Sequence, residues 1–419
     1  MNVMKPLAVA VLAAISSTTW AAGSTATTSQ TGEGNTANTV QSNVNDSVAN
    51  VDQTGDFNNA DVTQSNSLNM MTADIDTTGN DNNAVINQDD SWFATATIEQ
   101  VGNENLAGIN QVNISDNTGA SIQQIGNTQQ SEAFINQSSA LASNASIVQN
   151  ASTDAFASIN QTNDANQADI TQNAVLSSDA TIDQSGFGNA ASILQDDSWF
   201  ATATVDQSGN NNTASISQVA ISDYATAAIN QTGDSNNGLI SQDSAWSADA
   251  VINQSGINGD ADIIQDDSHF SYAEVNQSGA DHVALVNQGL GNRNDAYVNQ
   301  TGANNSAEVD QSGSDNLATV DQSAADNTAI AHSHGGNGII DIDQTADLNY
   351  ANVEQTAGAE YGIATIAQSG VDNDALIVQA GVGASGNENV ATILQEATLD
   401  SATILQAGGG GNNAFIHQY

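Results

Sequence analysis

The chain has no cysteine and one proline, and it sets only two Lys or Arg against 48 Asp and Glu. Without cysteine there is no disulfide to staple a fold and no thiolate to act as nucleophile or metal ligand. Aromatic residues make up 4% of the sequence, too few to fill a thick core. A net charge of −46 repels nucleic acid and anionic lipid, so neither is an expected partner. Beyond the first residues no apolar run approaches the roughly 20 residues that span a bilayer, and no membrane insertion is expected. Low hydrophobicity with high charge would on its own read as disorder. The order of the residues says otherwise.

Ala201, Ala203, Val205 and Gln207 alternate with Thr202, Thr204 and Asp206, and after a Ser-Gly-Asn-Asn interruption Asn212, Ala214, Ile216 and Gln218 alternate again. In a strand successive side chains point to opposite faces, so each run puts small apolar residues and Gln on one side. Gly209 and its Asn neighbours suit a tight turn. The half-unit Ala-x-(Val/Ile)-x-Gln returns every 11 to 13 residues to the end of the chain. Its closing glutamines include Gln30, Gln53, Gln64, Gln88, Gln100, Gln111, Gln161, Gln184, Gln207, Gln218, Gln231, Gln300, Gln311, Gln368, Gln379 and Gln418. A turn asparagine recurs as Asn58, Asn105, Asn166, Asn189, Asn212, Asn236, Asn305 and Asn373. Thr77 and Ser333 stand where a Gln is expected. The pattern predicts an all-β solenoid of about 34 strands in about 17 two-strand turns, with cross-β stacking and a period near 23 residues, over residues 22–419.

One turn holds two or three Val or Ile side chains, each contributing roughly 1.5–3 kcal/mol on burial. Ordering its backbone costs roughly 1–2 kcal/mol per residue, so no turn folds alone. Stacked turns place Gln over Gln and Asn over Asn, and the amides then bond along the axis as ladders. The named Gln and Asn residues are therefore the candidate self-assembly positions. The repeat runs close to both ends of the sequence with no capping helix, Pro or Lys, and an uncapped solenoid is a template for the next copy of itself.

Met1–Ala21 reads as a secretory signal peptide, with Lys5 as the positive region, Pro6–Ile15 as the apolar run and Thr19-Trp20-Ala21 at the cleavage point. The spacing Gln53-Thr-Gly55…Asn58-Asn-Ala60-Asp-Val62-Thr-Gln64, repeated from Gln161, Gln184, Gln207, Gln300 and Gln368, resembles the curlin repeat of curli, the amyloid fibres of bacterial biofilms. The resemblance implies a secreted fibre subunit that leaves through an outer-membrane secretion pore and polymerises with itself at the cell surface. It also implies a nucleator subunit and accessory factors as partners. The chain is several times longer than a typical curlin. Alternate half-units such as Gln195–Gln207 carry Asp-Asp-Ser-Trp-Phe in place of Gly and Asn.

Other constellations carry less. His332-x-His334 places two imidazoles on one strand face but has no third ligand at matching spacing, and reads as an exposed pair rather than a metal site. His282 replaces a turn Asn. Trp92, Trp199, Trp246 and His269 each fall four residues after a closing Gln and are expected to pack at one corner, a sugar-binding strip being the alternative. Thr95-Ala-Thr97 and Thr202-Ala-Thr204 are too few for an ice-binding face, and the Asp spacing is not that of a calcium-binding β-roll. No nucleophile–base–orienter set can be assembled. The expectation is a non-enzymatic structural subunit with no cofactor or metal, the alternative being a monomeric adhesin or ice- or ion-binding solenoid.

Overall fold

The computed structural model describes residues 23–419 other than positions 68 and 114; the expected signal peptide lies outside the described residues. Two compact units divide the chain, the first ending at Asn210 and the second spanning Asn211–Tyr419. The first contains sixteen strands, from Thr25–Thr31 to Thr202–Ser208. The second contains eighteen, from Thr213–Val219 to Asn413–Gln418. There is no helix among the described residues, and so none long and apolar enough to cross a membrane.

Within each unit a strand pairs not with its successor but with the strand two further on, always in parallel. Consecutive strands therefore face each other across a thin core, and every two strands complete one solenoid turn. The first unit has eight such turns and the second nine, matching the all-β solenoid of about 17 turns read from the sequence. Pairing is in register by residue type: Ala180 meets Ala203, Ile182 meets Val205 and Gln184 meets Gln207. In the second unit Ala273 meets Ala296, Val275 meets Val298 and Gln277 meets Gln300.

The two-residue period decides what is inside. Ala180, Ile182 and Gln184 are buried while Thr181 and Asp183 face outward. Ala at the first inward position lets the two sheets close toward each other; Ile or Val at the second fills the middle. Irregularities fall where the spacing changes. The long half-unit between Gln124 and Gln137 lies at a register shift between Gln100 and Gly102, and the Gly-rich insertion after Gln379 is absorbed in an arc around the short bridge of Ala384 with Asn387.

Two kinds of arc link the strands. Glycine arcs such as Gly55–Asn58 begin on a left-handed Gly, and a methyl group on Gly55 would overlap the carbonyl oxygen of Gly79 in the neighbouring turn. Serine arcs such as Ser91–Ala94 bury the Ser, whose hydroxyl donates to Gln111 O at 3.1 Å. The two kinds do not keep to one edge. In the first unit glycine arcs at 55–58, 79–82 and 102–105 occupy one edge, and serine or threonine arcs from 128 onward succeed them there. The other edge changes in the opposite sense, ending with Gly186–Asn189. This corrects the expected single aromatic corner: Trp92 lies on the edge opposite Trp199. Trp246 and His269 do occupy adjacent arcs, the Trp246 amide lying 3.3 Å from His269 Nδ1.

Candidate functional site

Four columns of inward glutamines, two in each unit, run through the core. In the second sheet of the first unit Gln41, Gln64, Gln88, Gln111, Gln137, Gln161, Gln184 and Gln207 form an unbroken ladder, each Nε2 donating to the next Oε1 at 2.8–2.9 Å. In the second unit the ladder from Gln231 through Gln254, Gln277, Gln300, Gln322, Gln344, Gln368 and Gln395 to Gln418 is equally continuous. Each amide also donates across the core to the facing strand, as Gln64 does to Val48 O at 3.0 Å and Gln300 to Val283 O at 3.0 Å. One side chain thus ties its own turn to the next turn and to the opposite sheet. Buried amides are stable only when so satisfied.

The first-sheet columns have one interruption each. Gln30 donates to Gln53 at 2.6 Å, but Thr77 follows, too short to continue the relay. Thr77 Oγ1 and Gln100 Oε1 are buried without a hydrogen-bond partner among the described residues. The ladder resumes from Gln100 through Gln124, Gln149 and Gln172 to Gln195. In the second unit Gln218 leads through Gln242, Gln265 and Gln288 to Gln311. Ser333 then donates to Gln355 at 3.0 Å, and Gln355 to Gln379.

The turn asparagines bond both to one another and to backbone: Asn82 Nδ2 donates to Asn58 Oδ1 and Asn105 Nδ2 to Asn82 Oδ1, each at 3.1 Å. Asn58 Nδ2 donates to Gly79 O at 2.8 Å, Asn189 to Gly209 O at 3.0 Å, Asn212 to Gly233 O at 2.7 Å and Asn305 to Ala324 O at 2.7 Å. Their Oδ1 atoms accept main-chain N–H groups of the next arc: Asn166 from Asn189, Asn212 from Asn236 and Asn373 from Asp400. They do not form one column, because Asn58 and Asn105 lie on the edge opposite Asn166 and Asn189. His282 performs the same duty, with Nε2 3.2 Å from Ser278 O and Nδ1 3.4 Å from the Asn305 amide. Burial holds its pKa below the usual value.

An outward slot, one residue before each closing Gln, holds the acids. Asp52, Asp76 and Glu99 are consecutive there, as are Asp183 with Asp206 and Asp321 with Asp343. Partial burial and then neighbouring carboxylates push up the pKa values of Asp76, Asp206 and Asp343. Between the acids the same slot holds asparagines that the sequence reading passed over. Asn230, Asn253, Asn276 and Asn299 bond in series at 2.8–2.9 Å and deliver the last amide to Asp321 at 2.7 Å. Asn160 delivers its amide to Asp183 at 2.6 Å. The signal was the recurring Ile-Asn-Gln or Val-Asn-Gln, visible at 229–231, 252–254, 275–277 and 298–300.

Little else converges. His332 Nε2 lies 3.4 Å from Glu308 and His334 Nε2 4.0 Å from Asp310, but no group of three or more His, Asp or Glu among the described residues is placed to hold a metal. Arg293 is already committed to Asp315, through two hydrogen bonds of 2.6 and 2.9 Å. Comparison with known families places the curlin associated repeat at residues 271–302 and 302–335, within the second unit, where the strands Tyr272–Ala280 to Thr328–Ser333 lie. No curated protein matches the chain.

Proposed function

We propose that the chain is a secreted structural subunit that self-assembles into curli-like amyloid fibres at the cell surface or in biofilm matrix, serving adhesion and cohesion. The observation that carries this reading is the repetition of one inward set, Ala, Ile or Val, and Gln, at nearly every level in the same register. A turn from a second copy would meet the same ladder atoms that the next turn of the same chain meets, so the internal contacts double as intermolecular ones. The curlin associated repeat at residues 271–335 supports the same role. Gln30, Gln53, Asn58 and the other ladder residues are then assembly positions as well as core positions. Export through an outer-membrane pore, a nucleator and accessory factors belong to this reading.

The test is growth of the purified chain lacking its signal segment. Fibres with a reflection near 4.7–4.8 Å along their axis are expected, seeded by their own fragments. A product that stays monomeric at high concentration, with and without seeds, overturns the proposal.

A further inference from the structure

Three arcs carry residues that the fold does not require. Asp89-Asp-Ser-Trp-Phe93 and Asp196-Asp-Ser-Trp-Phe200 lie in the first unit, Asp266-Asp-Ser-His-Phe270 in the second. In each the Ser is buried in the arc, while the aromatic residues stand in solvent: Trp92, Phe93, Trp199, Phe200 and Phe270 are 39–50% exposed. The Phe backbones are left-handed, with φ of 56° at Phe93, 56° at Phe200 and 54° at Phe270. That conformation is strained for a bulky residue and relaxed for Asn, Asp or Gly. At the same place in other arcs stand Asn117, Ala142, Asp154, Ser177 and Ser247, and also the larger Phe57, Gln130, Arg293 and Tyr361. Small side chains suffice at this place in many arcs, and these aromatic rings add local strain while remaining about half exposed. The part of each ring that stands in solvent is open to use by a ligand.

The chemistry of that use follows from what stands beside them. Each ring lies on an arc with two Asp, of which Asp90, Asp197 and Asp267 are exposed. In the second unit Trp246 on the adjacent arc meets Phe270 edge-on, with ring centroids 4.8 Å apart, and forms a two-ring platform. Exposed carboxylates on a chain of net charge −46 turn away an anionic glycan and an anionic lipid surface alike. They accept a cation. We propose that these arcs bind a polymer of cationic amino sugar, its apolar sugar face stacked on the ring and its protonated amine on the carboxylates. The module recurs on three rigid arcs, which suits a ligand built from one repeating unit with a flat apolar face and one amine. A basic peptide carries its charge at the end of a flexible stem and offers the ring no such face.

The experiment titrates the soluble full chain, before any fibre forms, with oligomers of β-linked glucosamine, with their fully N-acetylated counterparts and with oligolysine of equal charge. Saturable, salt-sensitive binding of the glucosamine oligomer is expected, with a change in tryptophan emission, and at least tenfold weaker binding of the acetylated form. The combined variant Phe93→Asn, Phe200→Asn and Phe270→Asn should bind the glucosamine oligomer at least tenfold more weakly while unfolding at the same temperature or higher, and should bind oligolysine unchanged. The inference is overturned if the variant binds the amino sugar like the parent, if the acetylated oligomer binds equally well, or if oligolysine shows the same dependence on the three Phe residues. Absence of glucosamine binding overturns it too, and none of these results depends on whether the chain polymerises.

Discussion

At Thr77 the first-sheet glutamine column loses one amide, and two buried oxygens, Thr77 Oγ1 and Gln100 Oε1, are left without partners among the described residues. Register places Thr77 directly between Gln53 and Gln100, so a Gln at this level would restore the relay. Thr77→Gln should therefore stabilise the chain by about 1 kcal/mol, the net worth of a satisfied buried hydrogen bond; denaturant unfolding measures it. The reverse change in an intact column, Gln88→Ala, strands the amides of Gln64 and Gln111 and should cost about 1–3 kcal/mol. Outward Thr202→Ala should stay within about 0.5 kcal/mol. Similar losses at Gln88 and Thr202 would show that the inward face is not the one that matters.

Along a strand, the alternation that set Ala180, Ile182 and Gln184 inward was legible in the sequence because a pleat has a period of two. What a period of two does not encode is which edge an arc occupies. The exchange of glycine and serine arcs between edges, and with it the separation of Trp92 from Trp199, sets in at the long half-unit where the register shifts. The outer Asn series escaped notice for a related reason: outward positions looked like a solvated face until stacking joined them. The acids in that slot give the strands a pH dependence. Asp76, Asp206 and Asp343 have raised folded-state pKa values, from burial first and neighbouring carboxylates second. A raised carboxyl binds its proton more tightly when folded. Its contribution to stability is complete below the unfolded value of about 3.9 and is lost as pH climbs through the folded one. Thermal midpoints should therefore rise between pH 7 and pH 4, and Asp76→Asn with Asp206→Asn should flatten the profile. Asp315, held below its usual range by Arg293, acts in the opposite sense as a single exposed group. A midpoint that falls steadily on acidification would contradict the assignment.

For the molecule as a whole, near-equivalence of turns means that length is negotiable in whole periods only. Removing residues 278–300 joins Gln277 to Thr301, where register already sets Gln277 against Gln300 and Ser278 against Thr301. The shortened chain should fold with unchanged strand content by circular dichroism and lose little stability, since solenoid stability is a sum of turn and neighbour terms. Removing only residues 290–300, a single strand with its arc, exchanges the two sheets for everything downstream and should abolish cooperative unfolding. Growth rates across ionic strength should report the like-charge slots, each pair repelling by on the order of 1–4 kcal/mol before screening; added salt should speed assembly. There remains the direction of the ladders. In every Gln–Gln hydrogen bond of both units, the lower-numbered residue gives the proton and the higher-numbered one receives it. The glutamine amide dipoles of a column therefore add rather than cancel, and one face of a Gln-bearing turn offers glutamine N–H groups where the other offers glutamine oxygens. Copies joined through these faces can meet only head to tail, in a contact that has no twofold axis and does not close. Such a filament has a vectorial axis and two chemically unlike tips, a donor tip and an acceptor tip, which should elongate at different speeds.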